Sequence, residues 1–66
     1  MQVTINGEVR EVPDTLSLRD LLRHLKVSEE RVAIERNREI VKRERWPAVR
    51  VEAGDQLEIV HLVGGG

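Results

Sequence analysis

Polar and apolar residues alternate from Gln2 to Ile5, and the run ends in Asn6-Gly7. Alternation places Val3 and Ile5 on one face of an extended strand. Asn-Gly is the preferred pair for a two-residue hairpin turn, because both central residues need φ > 0. The return arm, Glu8 to Val12, is charged and β-branched, and Pro13 ends it. The pattern predicts a hairpin. Between Ser17 and Lys26 the period changes: leucines at 18, 21, 22 and 25 fall at i, i+3, i+4 and i+7, one stripe of a helix. Ser17 is placed to cap it, with Asp20 three residues on as the reciprocal partner of a capping box. Lys26 is expected at the carboxyl end, where the helix dipole favours a cation.

Alternation returns in Arg31–Arg36, a third strand, followed by an Asn37-Arg38 turn and a short fourth strand from Glu39 to about Arg43. Arg38 tolerates positive φ less well than glycine would. Glu44 to Val51, with Trp46-Pro47, has no clear period and reads as a loop. Gly54-Asp55 signals a turn, and Gln56 to Val63 is the last strand, before Gly64-Gly65-Gly66. The order β-β-α-β-β-loop-β predicts an α+β domain with one helix covering one sheet face. If the last strand runs parallel to the first, both are central. The expected fold is then a β-grasp (ubiquitin-like) roll with a mixed sheet of four to five strands.

Sixty-six residues, 39% of them apolar, allow one small core, so the chain reads as a single domain over 1–66 with a flexible glycine tail, 64–66. Cys is absent and only two histidines are present, which removes disulfides and the usual zinc sites. Eleven basic against twelve acidic residues, a net −1, argue against a nucleic-acid module. No stretch approaches the length of about 18 apolar residues that crosses a membrane, and no basic-then-apolar leader opens the chain. A cytoplasmic protein is expected. Length and ligand count leave little room for a self-contained enzyme.

The final strand carries the candidate chemistry. Leu57, Ile59, His61 and Val63 point one way, and Glu58, Val60 and Leu62 the other. Val60 and Leu62 on the open face would form a docking patch; the other reading is a strand covered on both sides by Trp46 and its loop. The three terminal glycines have no folding value. They are either an unordered end or a tail that threads a narrow channel, reaching about 10 Å beyond the last strand. His61 and His24 read as surface histidines rather than general bases, and no paired carboxylates stand out. Lys42-Arg43-Arg45 with Trp46 is either an RNA-binding surface or a solvated edge with a packed indole.

Several segments resemble the thiamine-biosynthesis sulfur carrier proteins, the ThiS family: Met1-Gln2-Val3-Thr4-Ile5-Asn6-Gly7-Glu8, Leu21-Leu22, Val32-Ala33-Ile34-Glu35 with Asn37, Gly54-Asp55, and above all Leu57-Glu58-Ile59-Val60-His61-Leu62-Val63-Gly64-Gly65-Gly66. Arg38 departs from the glycine that often follows Asn37 in such carriers. The resemblance implies a protein co-substrate rather than an enzyme. Gly66 would be adenylated by an E1-like (ThiF-type) enzyme using ATP and magnesium that this chain does not itself bind. It would take sulfur from a donor such as a cysteine desulfurase, and pass it as a thiocarboxylate to a ThiG-type thiazole synthase. Gly64 and Gly65 would give clearance inside partner active sites, and Val60, Leu62 and Val63 would dock. Carriers for molybdopterin synthesis or tRNA thiolation, and a non-covalent ubiquitin-like or RNA-binding module, stay open as alternatives.

Overall fold

The computed structural model describes residues 1–63. Two hairpins flank one helix. Strands β1 (Gln2–Ile5) and β2 (Glu8–Glu11) are joined at Asn6-Gly7, helix α1 covers Leu18–His24, and β3 (Val32–Arg36) and β4 (Glu39–Val41) are joined at Asn37-Arg38. A 3₁₀ turn follows at Arg43–Arg45, and β5 is Gln56–His61. The five strands form one sheet in the order β2-β1-β5-β3-β4. β5 runs parallel to β1 and antiparallel to β3, so the last strand lies in the middle. This is the β-grasp arrangement expected from the element order.

One sheet face is buried. Val3, Ile5, Val32, Ile34, Leu57 and Ile59 form a continuous core with Leu18, Leu21 and Leu22 of α1. Alternation along each strand places these residues under the helix. The helix starts as expected: Ser17 Oγ accepts from the Asp20 N–H at 3.0 Å, and Asp20 Oδ2 accepts from the Ser17 N–H at 3.5 Å.

Its other end differs from the expectation for Lys26. The helix stops at His24 with Leu25 as C-cap, and Lys26 sits beyond it at φ 60°. The Lys26 N–H donates to Arg23 O (3.1 Å) and the Val27 N–H to Leu22 O (2.9 Å), the bonding of a Schellman closure. Lys26 thus fills the left-handed position that glycine usually takes, and Arg23 and His24 are the basic residues of the last turn.

Strand boundaries move as well: β2 ends at Glu11 rather than Val12, and β3 begins at Val32 rather than Arg31. β4 ends at Val41, because the chain tightens into the 3₁₀ turn, and β5 ends at His61. The Leu62 N–H still donates to Arg31 O at 2.7 Å, so the pairing with the β3 side runs one residue further. Trp46, expected in a loop, is 2% exposed within the core. Its indole N–H donates to Val41 O at 2.9 Å, and Ser17 and Arg50 form a bridge that returns the segment to the start of α1.

Candidate functional site

Among the described residues, no helix lies on the second sheet face. Strand registers place Val9 opposite Thr4, Thr4 beside Gln56, Val60 opposite Ala33, and Ile40 opposite Glu35 on that face. Val60 is 48% exposed and Leu62, just past β5, is 52% exposed. Trp46 belongs to the helix-side core and does not cover them, so the reading of a strand covered by that segment is not what forms. Val63 is 96% exposed. Val9 and Ile40 extend the exposed apolar surface to the two outer strands. Alternation alone marks them, once the register across the sheet is known.

Glu58 lies directly opposite Glu35. Two carboxylates in a facing pair repel, and both line a hollow together with Thr4, Gly7 and Arg38. This face therefore combines apolar side chains with an acidic centre. It suits a partner that brings apolar and basic groups.

The entrance to β5 is pinned by a buried polar cluster. Asp55 Oδ2 accepts from Arg36 Nε at 2.8 Å and from the Glu52 N–H at 2.8 Å, and Oδ1 accepts from Asn37 Nδ2 at 3.2 Å. Burial works against ionising this carboxyl, but the hydrogen bonds from Arg36, the Glu52 amide and Asn37 outweigh it and hold its pKa below the usual carboxylate range. The Arg36 guanidinium is raised in turn, chiefly by its hydrogen bond to Asp55. These groups are occupied with each other and serve the fold. His61 is exposed at the end of β5, and His24 is exposed on α1. Among the described residues no three His, Cys, Asp or Glu side chains come together as a metal site, and no helix is long and apolar enough to cross a membrane. Lys42, Arg43 and Arg45 are exposed, whereas Trp46 is buried with the Arg43 guanidinium 5.6 Å from its ring centroid. The indole is thus not available as a stacking platform for bases.

The family model described as "ThiS family" matches residues 3–66. The chain belongs to the ThiS family. The sulfur carrier protein ThiS of Bacillus subtilis is 41% identical over 63 residues, covering 94% of this chain and 96% of that one. A thiazole synthase of Paramagnetospirillum magneticum is 44% identical over all 66 residues, and the chain spans only 20% of its length. The crystal structure of the thiamine biosynthesis protein ThiS from Geobacter metallireducens superposes with a TM-score of 0.88 at 38% identity, covering both chains completely. For this ThiS-family chain, Val60, Leu62 and Val63 are thus exposed together where β5 leaves the sheet. Gly64, Gly65 and Gly66 lie outside the described residues, within the stretch matched by the family model. The sequence reading missed Asn6 as more than a turn residue: its side chain bonds the backbone of Ile59. A reversed distance along the chain, 53 residues, left no local signal for it.

Proposed function

We propose that this protein is a sulfur carrier of thiamine biosynthesis, with Gly66 as the residue that carries sulfur. The reading is carried by the match to the ThiS family through residue 66, in a fold whose central strand runs from the core to an exposed Val60-Leu62-Val63 exit. Its name-bearing relatives support the pathway: Bacillus subtilis ThiS as a carrier, and a thiazole synthase one fifth of whose length is spanned by this chain.

The chemistry follows from a carboxylate's weakness as an electrophile. The Gly66 carboxylate attacks the α-phosphorus of ATP bound with magnesium in an E1-like adenylating partner, and pyrophosphate leaves. A persulfide sulfur from a donor such as a cysteine desulfurase then attacks the acyl carbon, and AMP leaves. A second partner thiol cleaves the S–S bond of the acyl disulfide, giving the Gly66 thiocarboxylate and a partner disulfide. Thiazole synthase consumes that sulfur. In this scheme the chain is a co-substrate and binds no ATP, magnesium or other cofactor itself. Gly64 and Gly65 supply clearance in the partner active sites. Val60, Leu62 and Val63 dock, with the Glu35–Glu58 pair meeting basic partner groups.

The test uses the absence of cysteine. The protein is incubated with ATP, magnesium, the host adenylating enzyme and a sulfur donor, treated with a thiol-alkylating reagent, and its intact mass is taken. Sulfur in place of oxygen changes the mass almost as Met1 oxidation does, so the alkyl adduct is the readout. One adduct at Gly66 is expected. Its absence alongside a carrier that works in the same mixture sinks the proposal.

A further inference from the structure

Both hairpin-turn asparagines reach across to β5, and they hold it at different places. Asn37 Oδ1 accepts from the Gln56 N–H at 2.9 Å, at the entrance of the strand. Asn6 holds it further along. Its own N–H donates to Leu57 O at 2.9 Å, the last backbone bond of the β1–β5 ladder. In a continuing parallel strand the Ile59 N–H would be received by the carbonyl of residue 6, and Ile59 O by an amide two residues on. The chain instead turns away, with Asn6 at φ 51° and Gly7 at φ 82°. The Asn6 side chain replaces both missing backbone groups: Oδ1 accepts from the Ile59 N–H at 2.8 Å, and Nδ2 donates to Ile59 O at 3.1 Å. A side-chain amide thus extends the ladder by one rung, one residue before Val60 and three before Leu62.

We infer that Asn6 is a positioning residue for the transfer chemistry at Gly66, fixing the heading with which β5 leaves the sheet. The inference rests on the sulfur-carrier reading above. On the β3 side the strand stays paired through His61 and Leu62. On the β1 side the Asn6 amide is its last hold. Without that amide the end of β5 is restrained from one side only and can tilt about the β3 pairing. Ile59 is four residues from Val63, an extended span of about 13 Å, over which a tilt of about 5° shifts the point where the glycines begin by about 1 Å. A misplacement on the order of 1 Å at a reacting group can cost about a hundredfold in rate.

The two asparagines supply a matched control. Asn6→Gly and Asn37→Gly both keep the positive φ of their turns, and both remove a side-chain grip on β5. Only the first frees the end near the tail. Formation of acyl-adenylate would be followed in a single turnover at saturating adenylating enzyme, at a temperature where circular dichroism shows each variant folded. Amide hydrogen exchange would be measured at Ile59 and His61. Asn6→Gly is expected to slow the adenylation step about tenfold, with affinity for the enzyme within about threefold and faster exchange at Ile59. Asn37→Gly is expected to stay within about twofold of the natural protein in the same step. Asn6→Asp keeps the shape and the acceptor but sets a carboxylate oxygen against Ile59 O, and should behave like Asn6→Gly. Equal adenylation rates for Asn6→Gly, Asn6→Asp and Asn37→Gly would overturn the inference and leave Asn6 a fold residue. Failure of the natural protein to form acyl-adenylate would instead overturn the carrier reading, and the two failures are told apart by that control.

Discussion

Asp55 shows how a single residue can be buried and charged at once. It is 5% exposed, yet three donors from Arg36, Glu52 and Asn37 converge on its two oxygens and keep it ionised. Because its folded pKa is lowered, the stability it contributes is fully present above its unfolded value, near pH 4, and is lost as pH falls through the lower folded value. Asp55→Asn should therefore cost about 2 kcal/mol at neutral pH and flatten the acid limb of the stability profile, measured by urea denaturation from pH 7 down to pH 2. An unchanged acid limb would mean that another carboxylate governs it. Leu62 makes the opposite case, since it is half exposed and contributes little to the core. Leu62→Asp is expected to move the unfolding free energy by less than about 0.5 kcal/mol while weakening binding to the adenylating enzyme by about tenfold or more. Calorimetric titration beside thermal denaturation separates the two effects; a collapsed midpoint with normal binding by the folded fraction would make Leu62 a core residue.

At the scale of elements, α1 has only seven residues, too few to be stable alone. It depends on its caps and on three buried leucines. Ser17→Ala removes the acceptor for the Asp20 N–H and should cost about 1 kcal/mol, read as a lower denaturation midpoint at an unchanged m-value. The helix stripe, the capping box and the Asn6-Gly7 hairpin were all legible in the sequence because each is a local pattern with a local cause. Three features were not. Lys26 takes a left-handed conformation, at φ 60°, to close the helix at a position where no glycine marks the end. The segment around Trp46 lacks a period because it is neither strand nor α-helix, and its burial comes from a 3₁₀ turn and the Ser17–Arg50 bridge. The Asn6 side chain meets Ile59 only through the parallel pairing of the first and last strands, a contact that no local pattern encodes. The candidate site was legible in part: the alternation in β5 exposed Val60 and Leu62, while Val9 and Ile40 joined that face only with the sheet order.

For the whole molecule, the division of labour is between a core that ends at Ile59 and a chain end that leaves it. Every residue of the buried cluster lies between Val3 and Ile59, and the last strand is the inner strand shared by both hairpins. A carrier of this kind must let its end enter one partner after another while its own fold stays unchanged. Among the described residues the buried side chains all lie upstream of Val60, which satisfies that requirement, because hydrophobic burial scales with the area removed from water and not with chain length as such. Deleting Gly65 and Gly66 is therefore expected to leave the thermal midpoint and the amide exchange of the sheet unchanged, while abolishing adenylation and the alkylatable thiocarboxylate. The truncated chain should still bind the adenylating enzyme through Val60 and Leu62, and so compete with the full-length carrier in its turnover. An active truncated chain would show that the reacting group is not Gly66. An inactive chain that neither binds nor competes would place docking in the tail rather than on the open sheet face.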